Sequence, residues 1–534
     1  MERFFHYKER QGTLGGEITA GILIGILSVC GMFMNMQLLA KMQITGAYQT
    51  TGISEAAANG EILAGFYFIS MLIAFVSSLA IGLIARLPLV QVSSLGLGTV
   101  LISLVGSTGG LTYYNLLAIC FLASIVNAVI LSVPGLWQKL LNAIPNPVVK
   151  AFPAAVGMLI MWTAVQLTGV FSVGTSQIST YGIGTVLPGY ADAVSLSEPV
   201  QISDFSYATD KFHPLMLLSV LAVVIAVIVF LLLRSGTKHP FWLSLLAGTV
   251  FFLLTNICFV CVNWKNFGMS LDSLWGRLWT VGSEDALQKH FYSIFAGISV
   301  GKIFTEGFDF STYTANGGNV VLLFLTGIVT VALTNLIHGQ AVLMTIAKET
   351  EADEKACRKA LLCNAACGIA APLVGGVAPS IGEESVAGVR DGGRSGLTSI
   401  AASVVYLISM FVWIVPFLFA TLFSYDIKFT MYGHYGETLQ AMTECSFAVA
   451  DIVMAMTGAL MIKRTISGEW SHALETIPFL ATVILAFFFS NPLYGVAAGS
   501  VVYLLVTLTE KEKIKTGQWI WGVCSVLILF LAML

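Results

Sequence analysis

Val374-Gly375-Gly376-Val377-Ala378-Pro379-Ser380-Ile381-Gly382-Glu383-Glu384-Ser385 is the stretch that decides how this chain is built. It lies among long apolar runs. Its Gly and Pro content disfavours a continuous helix, and it is shorter than the roughly 20 residues a spanning helix needs. An earlier stretch, Leu87-Pro88-Leu89-Val90-Gln91-Val92-Ser93-Ser94-Leu95-Gly96-Leu97-Gly98-Thr99, has the same character. Both read as an extended piece leading into a half-helix. Unpaired backbone at membrane depth is tolerated only where protein or a cavity covers it. Interrupted segments at matching positions in two halves of a chain point to a transport site.

The rest of the sequence agrees with a membrane setting. The chain has 534 residues, 57% hydrophobic and only 10% charged, with a mean hydropathy of +0.86. A soluble domain is usually about a quarter charged. A soluble enzyme is thereby excluded, as is a disordered chain. The net charge of −3 gives no basic field for nucleic acid. The nine cysteines lie mostly in apolar stretches, and Cys258-Phe259-Val260-Cys261 has no second pair to complete a zinc site. The N-terminus is not expected to be a cleaved signal, because the apolar run at 18–39 is long enough to span.

Apolar runs fall at 18–39, 62–84, 90–105, 116–133, 148–167, 215–233 and 241–262. A second set falls at 320–346, 360–373, 374–389, 397–423, 447–462, 474–489 and 493–508, and a last run at 517–534. The expected fold is an all-α polytopic membrane protein: fourteen segments in a seven-plus-seven inverted repeat, with short strands and half-helices in segments 3 and 10, plus an extra C-terminal hydrophobic segment. With the N-terminus cytoplasmic, most of the 26 Lys and Arg lie inside, as the positive-inside rule requires. The exceptions are Lys41, Lys211, Lys265, Arg277, Lys289, Lys302 and Lys428, most of them in long outer loops. Those loops, 172–212 and 263–319, are expected to carry short helices or hairpins.

Several polar residues lie at membrane depth. A charged side chain there costs about 2.5–3.5 kcal/mol on insertion scales and marks function by default. Glu384 is the first candidate, as ligand and proton acceptor. Glu383 and Gly382 lie beside it, and the alternative role for the acids is capping the half-helix. His338, in Asn335-Leu336-Ile337-His338-Gly339-Gln340, titrates near neutrality when unperturbed. Asn335 and Gln340 add amides on the same helix, where interhelical hydrogen bonding is the plainer role. Ser93 and Ser94 offer hydroxyls in the first interrupted segment. Asn35 and Gln37 are weaker candidates. Asp451, near the start of a late helix, reads as interfacial or capping. Arg390, Asp391 and Arg394, around Gly392-Gly393, read as anchors of a turn. No G-x-x-x-x-G-K-[ST] motif is visible, so ATP-driven transport is not expected, and no cofactor is expected beyond a proton or other coupling cation.

The run Glu384-Ser385-Val386-Ala387-Gly388-Val389-Arg390-Asp391-Gly392-Gly393-Arg394-Ser395-Gly396-Leu397-Thr398 resembles the purine (hypoxanthine, guanine, adenine) permease branch of the nucleobase:cation symporter family 2. Members carry a similar E-S-x-x-G-x-x-x-G-G-[RK]-[ST]-G-L-T pattern. Residues 4–39, 82–105 and 144–170 are similar to the same branch. The resemblance implies a core from segments 1–4 and 8–11 and a gate from segments 5–7 and 12–14. The base would lie between segments 3 and 10, a proton would move with it, and members often pair as homodimers through the gate. On that pattern Glu384 matches the carboxylate that accepts from ring N–H groups. His338 stands where the branch has an Asp.

These readings give expected divisions at 1–16 (cytoplasmic tail), 17–133 (core, first half), 148–263 (gate, first half), 264–319 (external loop), 320–423 (core, second half), 447–509 (gate, second half) and 517–534. The expected function is a proton-coupled secondary transporter of a purine-type nucleobase in the cell membrane, working by elevator-type alternating access. Its partners are the small-molecule substrate and the lipid bilayer. The alternative is a sulfate- or carboxylate-like anion transporter of the same fold, to which a cationic His338 would be suited. A membrane-embedded enzyme would need a nucleophile–base pair or a metal cluster, and none is visible.

Overall fold

Long apolar runs fold as helices at membrane depth because a helix satisfies its backbone hydrogen bonds within itself. The computed structural model describes residues 2–51, 55–93, 97–98, 100–101, 104, 111–167, 205–207, 214–251, 254, 300–411, 424–433, 438–446, 449–465 and 472–533. Among them, six helices are long and apolar enough to cross a membrane, and five shorter apolar helices accompany them.

The first half contains α1 (Leu14–Thr51), α2 (Glu55–Ile84), strand β1 (Gln91–Val92), α3 (Tyr113–Ser132), the short α4 (Leu136–Ala143), α5 (Asn146–Leu167), β2 (Phe205–Tyr207) and α6 (Pro214–Arg234), followed by α7 (Pro240–Phe251). Next come α8 (Val320–Thr350), α9 (Glu354–Leu373), β3 (Ser380–Ile381), α10 (Glu384–Arg390) and α11 (Gly396–Phe411). The chain ends with strands β4 (Ser424–Gly433) and β5 (Thr438–Ser446), then α12 (Val449–Thr465), α13 (Ala473–Phe488), α14 (Pro492–Thr509) and α15 (Thr516–Met533). The expected ends of segments 3, 7 and 11 lie largely outside the described residues, as does most of both long outer loops.

The helices sort by contact into two groups. In one, α11 packs on α1 and α2, while α9 and α8 pack on α3. In the other, α12, α13 and α14 pack on α5, and α6 packs on α12. Small residues allow the close crossings. A Cβ on Gly157 of α5 would stand 2.6 Å from the Gly458 carbonyl of α12, and one on Gly82 of α2 would stand 2.8 Å from the Gly396 carbonyl of α11. The groups meet where α8 touches α5 and α14, and where α1 and α10 touch α12. The C-terminal α15 packs on α14 and α4.

The expected strands are confined to segments 3 and 10 and hairpins to the loops at 172–212 and 263–319, and the structure adds strands at 424–433 and 438–446. Strands β2, β4 and β5 form an antiparallel sheet with β4 in the middle, pairing Tyr207 with Met431 and Asp426 with Glu444. Residues 424–431 alternate polar and apolar, from Asp426-Ile427-Lys428-Phe429 to Thr430-Met431, which is a strand pattern. The stretch contains no continuous apolar run.

Candidate functional site

The two interrupted segments meet through their backbones. β1 and β3 pair antiparallel, Gln91 opposite Ile381 and Val92 opposite Ser380, and Gly382 donates its N–H to the Val90 carbonyl at 2.9 Å. Buried backbone groups must find partners, and here each broken segment supplies the other's. Serines satisfy the remainder. The Gln91 N–H donates to Ser78 Oγ at 2.9 Å, Val90 N–H to Ser385 Oγ at 3.1 Å, and Leu89 N–H to Ser399 Oγ at 2.9 Å. Gly382 has to be small. A Cβ there would lie 3.0 Å from Val90 Cγ2 and 3.1 Å from Val92 Cγ2, and against Glu384 Oε2. Gly339 likewise lets α8 approach β3, since its Cβ would stand 3.3 Å from Ile381 Cδ1.

His338 on α8 is fully buried, and its Nε2 lies 3.1 Å from Oε2 of Glu383, also fully buried. Asn335, one turn earlier on the same face, donates from Nδ2 to the Pro379 carbonyl at 3.4 Å and accepts from Asn364 Nδ2 of α9 at 3.0 Å. Thus α8, α9 and the residues before α10 converge on one polar patch. Of the two adjacent acids, the imidazole takes Glu383 as its partner.

Among the described residues, this patch holds buried polar atoms that lack hydrogen-bond partners: His338 Nδ1, Glu383 Oε1, Glu384 Oε2, Asn364 Oδ1, and both Oε1 and Nε2 of Gln91. Buried polar atoms without partners are few in folded proteins and call for an explanation. Four of the six at this crossing are carboxylate or amide oxygens, which accept. Among the described residues, no group of three or more His, Cys, Asp or Glu side chains is placed to hold a metal ion.

The other sequence candidates fall in different places. Gln340 is half-buried, as is Ser93 beyond β1. Ser94 lies outside the described residues, as do the side chains of Asn35 and Gln37. Gln91 and Asn364 were not singled out by the sequence. An amide in an interrupted segment and an Asn at the midpoint of an apolar helix are the signals that mark them. Asp451 does not take the capping role: it is 1% exposed, and among the described residues neither carboxylate oxygen has a hydrogen-bond partner. Asp391 does more than close a turn. From the residue after α10, Oδ1 accepts Phe241 N–H at 3.1 Å and Oδ2 accepts Trp242 N–H at 2.9 Å, both at the start of α7. Its backbone carbonyl lies 2.7 Å from His239 Nδ1. Burial pushes the Asp391 carboxyl up to about 6, against the lowering effect of the two N–H donors.

No family model matches the chain. It is 22% identical over 518 residues to the guanine/hypoxanthine permease PbuO of Bacillus subtilis, covering 96% of this chain and 95% of that one. It is 23% identical over 533 residues to the guanine/hypoxanthine permease PbuG of the same organism, covering 99% of each. Among solved structures, the transmembrane domain of a cyanobacterial bicarbonate transporter, BicA, shares its fold with a TM-score of 0.50 at 11% identity, covering 89% of this chain and 96% of that one. By sequence, at low identity and over nearly its whole length, the chain is thus similar to purine nucleobase permeases, and these likenesses support a multi-pass membrane transporter.

Proposed function

We propose that the chain is a secondary transporter of a purine-type nucleobase, held at the β1–β3 crossing by Glu383, Glu384, Gln91 and Asn364, with His338 fixed by Glu383. The observation that carries this reading is the set of unpartnered acceptor oxygens at the crossing, from Glu383, Glu384, Asn364 and Gln91. A purine base presents ring N–H and amino donors together with a carbonyl or ring nitrogen. Such a ligand complements two carboxylates and two amides. A site built to bond N–H groups also rejects analogues that lack them. An anion would meet two acidic side chains, and like charge placed against like charge is costly. The same oxygens speak against the anion alternative.

The coupling ion in this reading is a proton, taken up by the His338–Glu383 pair. The N-terminus is cytoplasmic, and the group containing α1, α2, α8 and α11 moves against the group containing α5, α12 and α14. Uptake of radiolabelled bases into proteoliposomes, under an imposed proton gradient, tests it. Hypoxanthine, guanine or adenine accumulates, and sulfate and bicarbonate do not compete. Glu384→Gln and Glu383→Gln lower uptake tenfold or more. Wild-type uptake by Glu384→Gln would overturn the assignment of that side chain, and competition by sulfate alone would overturn the substrate class.

A further inference from the structure

Asp451 is the buried acid that this transport site does not use. It lies in the first turn of α12, it is 1% exposed, and both its carboxylate oxygens lack partners among the described residues. Its helix belongs to one helix group and touches α1 and α10 of the other. The contact is on the side of Asp451, because the thiol of fully buried Cys30 on α1 lies in its electrostatic field.

The charges near α12 are otherwise engaged or distant. On α5, Lys150 is exposed and lies 3.8 Å from Glu475 of α13. On α6, Arg234 sits in the last turn. On α10, Glu384 belongs to the crossing and Arg390 to the far end. On α1, Glu17 is bonded to the start of α11. Arg464, in the last turn of α12, pairs with Glu349 at 2.6 Å, about 20 Å along the helix from Asp451 at 1.5 Å per residue. No cation faces Asp451 among the described residues.

We propose that Asp451 is a proton-binding site at the contact between the two helix groups, separate from the His338–Glu383 pair. The carboxyl holds a proton while α12 is packed on α1 and α10, and gives it to water when that contact opens. The ligand is a proton because the surroundings fit no other cation. Sodium or calcium would require several oxygen ligands, and among the described residues no hydroxyl or amide group is bonded to the carboxylate to help supply them. A protonated carboxyl carries no charge, whereas an ionised one without a partner would have to be rehydrated, and rehydration means separating the helices. Protonation of Asp451 therefore closes the contact and ionisation opens it.

The proposal rests on the relative movement assumed above, but not on the cargo. Hydrogen exchange of the full chain in lipid nanodiscs, without substrate, tests it across pH 5 to 9 after correction for intrinsic exchange. In the wild type, exchange in peptides covering 449–458 and 24–32 rises tenfold or more with pH. Asp451→Asn holds exchange at the slow, low-pH level throughout, and Asp451→Leu does the same by a different side chain. Glu383→Gln keeps the wild-type profile. A flat wild-type profile, or a wild-type profile in either Asp451 variant, would overturn the proposal. So would loss of the pH response in Glu383→Gln, which would move the proton to the other pair. Failure to transport purines leaves these readings intact, so the two conclusions fail separately.

Discussion

Asp391, at the end of the half-helix, caps α7, a helix whose Gly248 lies against Val449 of α12 and Ile225 of α6 in the other group: its Oδ2 accepts the Trp242 N–H at 2.9 Å and its Oδ1 the Phe241 N–H at 3.1 Å. The first turn of α7 thereby receives its cap in trans, from the residue that follows α10. A displacement of one helix group against the other has to break or carry these bonds.

The Asp391 carboxyl titrates near 6 in the folded protein, above its ordinary value of 3.8, chiefly because of burial. An acid raised by folding contributes stability that is present below its ordinary value and lost as pH rises through the folded value. The melting temperature of the purified protein should therefore fall between about pH 4 and pH 6.5 through this group. In Asp391→Asn that fall is smaller, and a scan of thermal unfolding against pH measures it. An unchanged slope in the variant would refute the assignment.

The His338–Glu383 contact is buried on both sides, so removing one partner strands the other. Glu383→Ala should destabilise the protein by about 3–5 kcal/mol. Glu383→Gln keeps a hydrogen-bonding partner for the imidazole and should lose clearly less. Chemical or thermal unfolding in a single detergent ranks the two variants, and equal losses would contradict the pairing.

Gly382→Ala places a methyl group against Val90, Val92 and Glu384. Overpacking of this kind typically costs about 1–3 kcal/mol, and here it separates the two strands that form the crossing. The expected result is a folded protein that no longer transports, seen as retained elution in size-exclusion chromatography with lost uptake. Transport at the wild-type rate would show that the strands do not need this close approach.

Glu17 is buried at the start of α1 and accepts from Arg394 N–H at 3.0 Å, Ser395 N–H at 3.2 Å and the Thr398 hydroxyl at 2.5 Å. It serves the start of α11 as an external N-cap. Glu17→Ala leaves these donors buried without a partner, which should lower stability by about 1–3 kcal/mol. The fall in melting temperature reads this directly, and a neutral variant would mean that water replaces the carboxylate.

Hydropathy made the helices legible, because a membrane span is written in consecutive apolar residues. Gly and Pro made the two interruptions legible for the same local reason. What joins them was not legible: the pairing of Gln91 with Ile381 is a tertiary fact between segments far apart in the chain. The choice between Glu383 and Glu384 depends on the turn into α10, which sets the direction of each side chain, and composition carries no trace of that turn. Asp391 reads as the anchor of a local turn and Glu17 carries no signal of its role, since a partner in trans leaves no mark near either residue. Strand β4 is written as alternation of polar and apolar residues, a pattern that continuous apolar runs do not contain.

The bond between Val90 and Ser385 joins residues 295 positions apart. At the usual pace of synthesis, about 5–20 residues per second, the second partner emerges roughly 15 to 60 s after the first. For that interval the nascent chain carries an extended segment in the bilayer in which Gln91 N–H has Ser78 as its partner, while Val90 N–H still waits for Ser385. A ribosome-stalled chain that stops short of residue 380 should therefore remain bound to the insertion machinery or be recognised for degradation, because the first half on its own has no way to complete the strand.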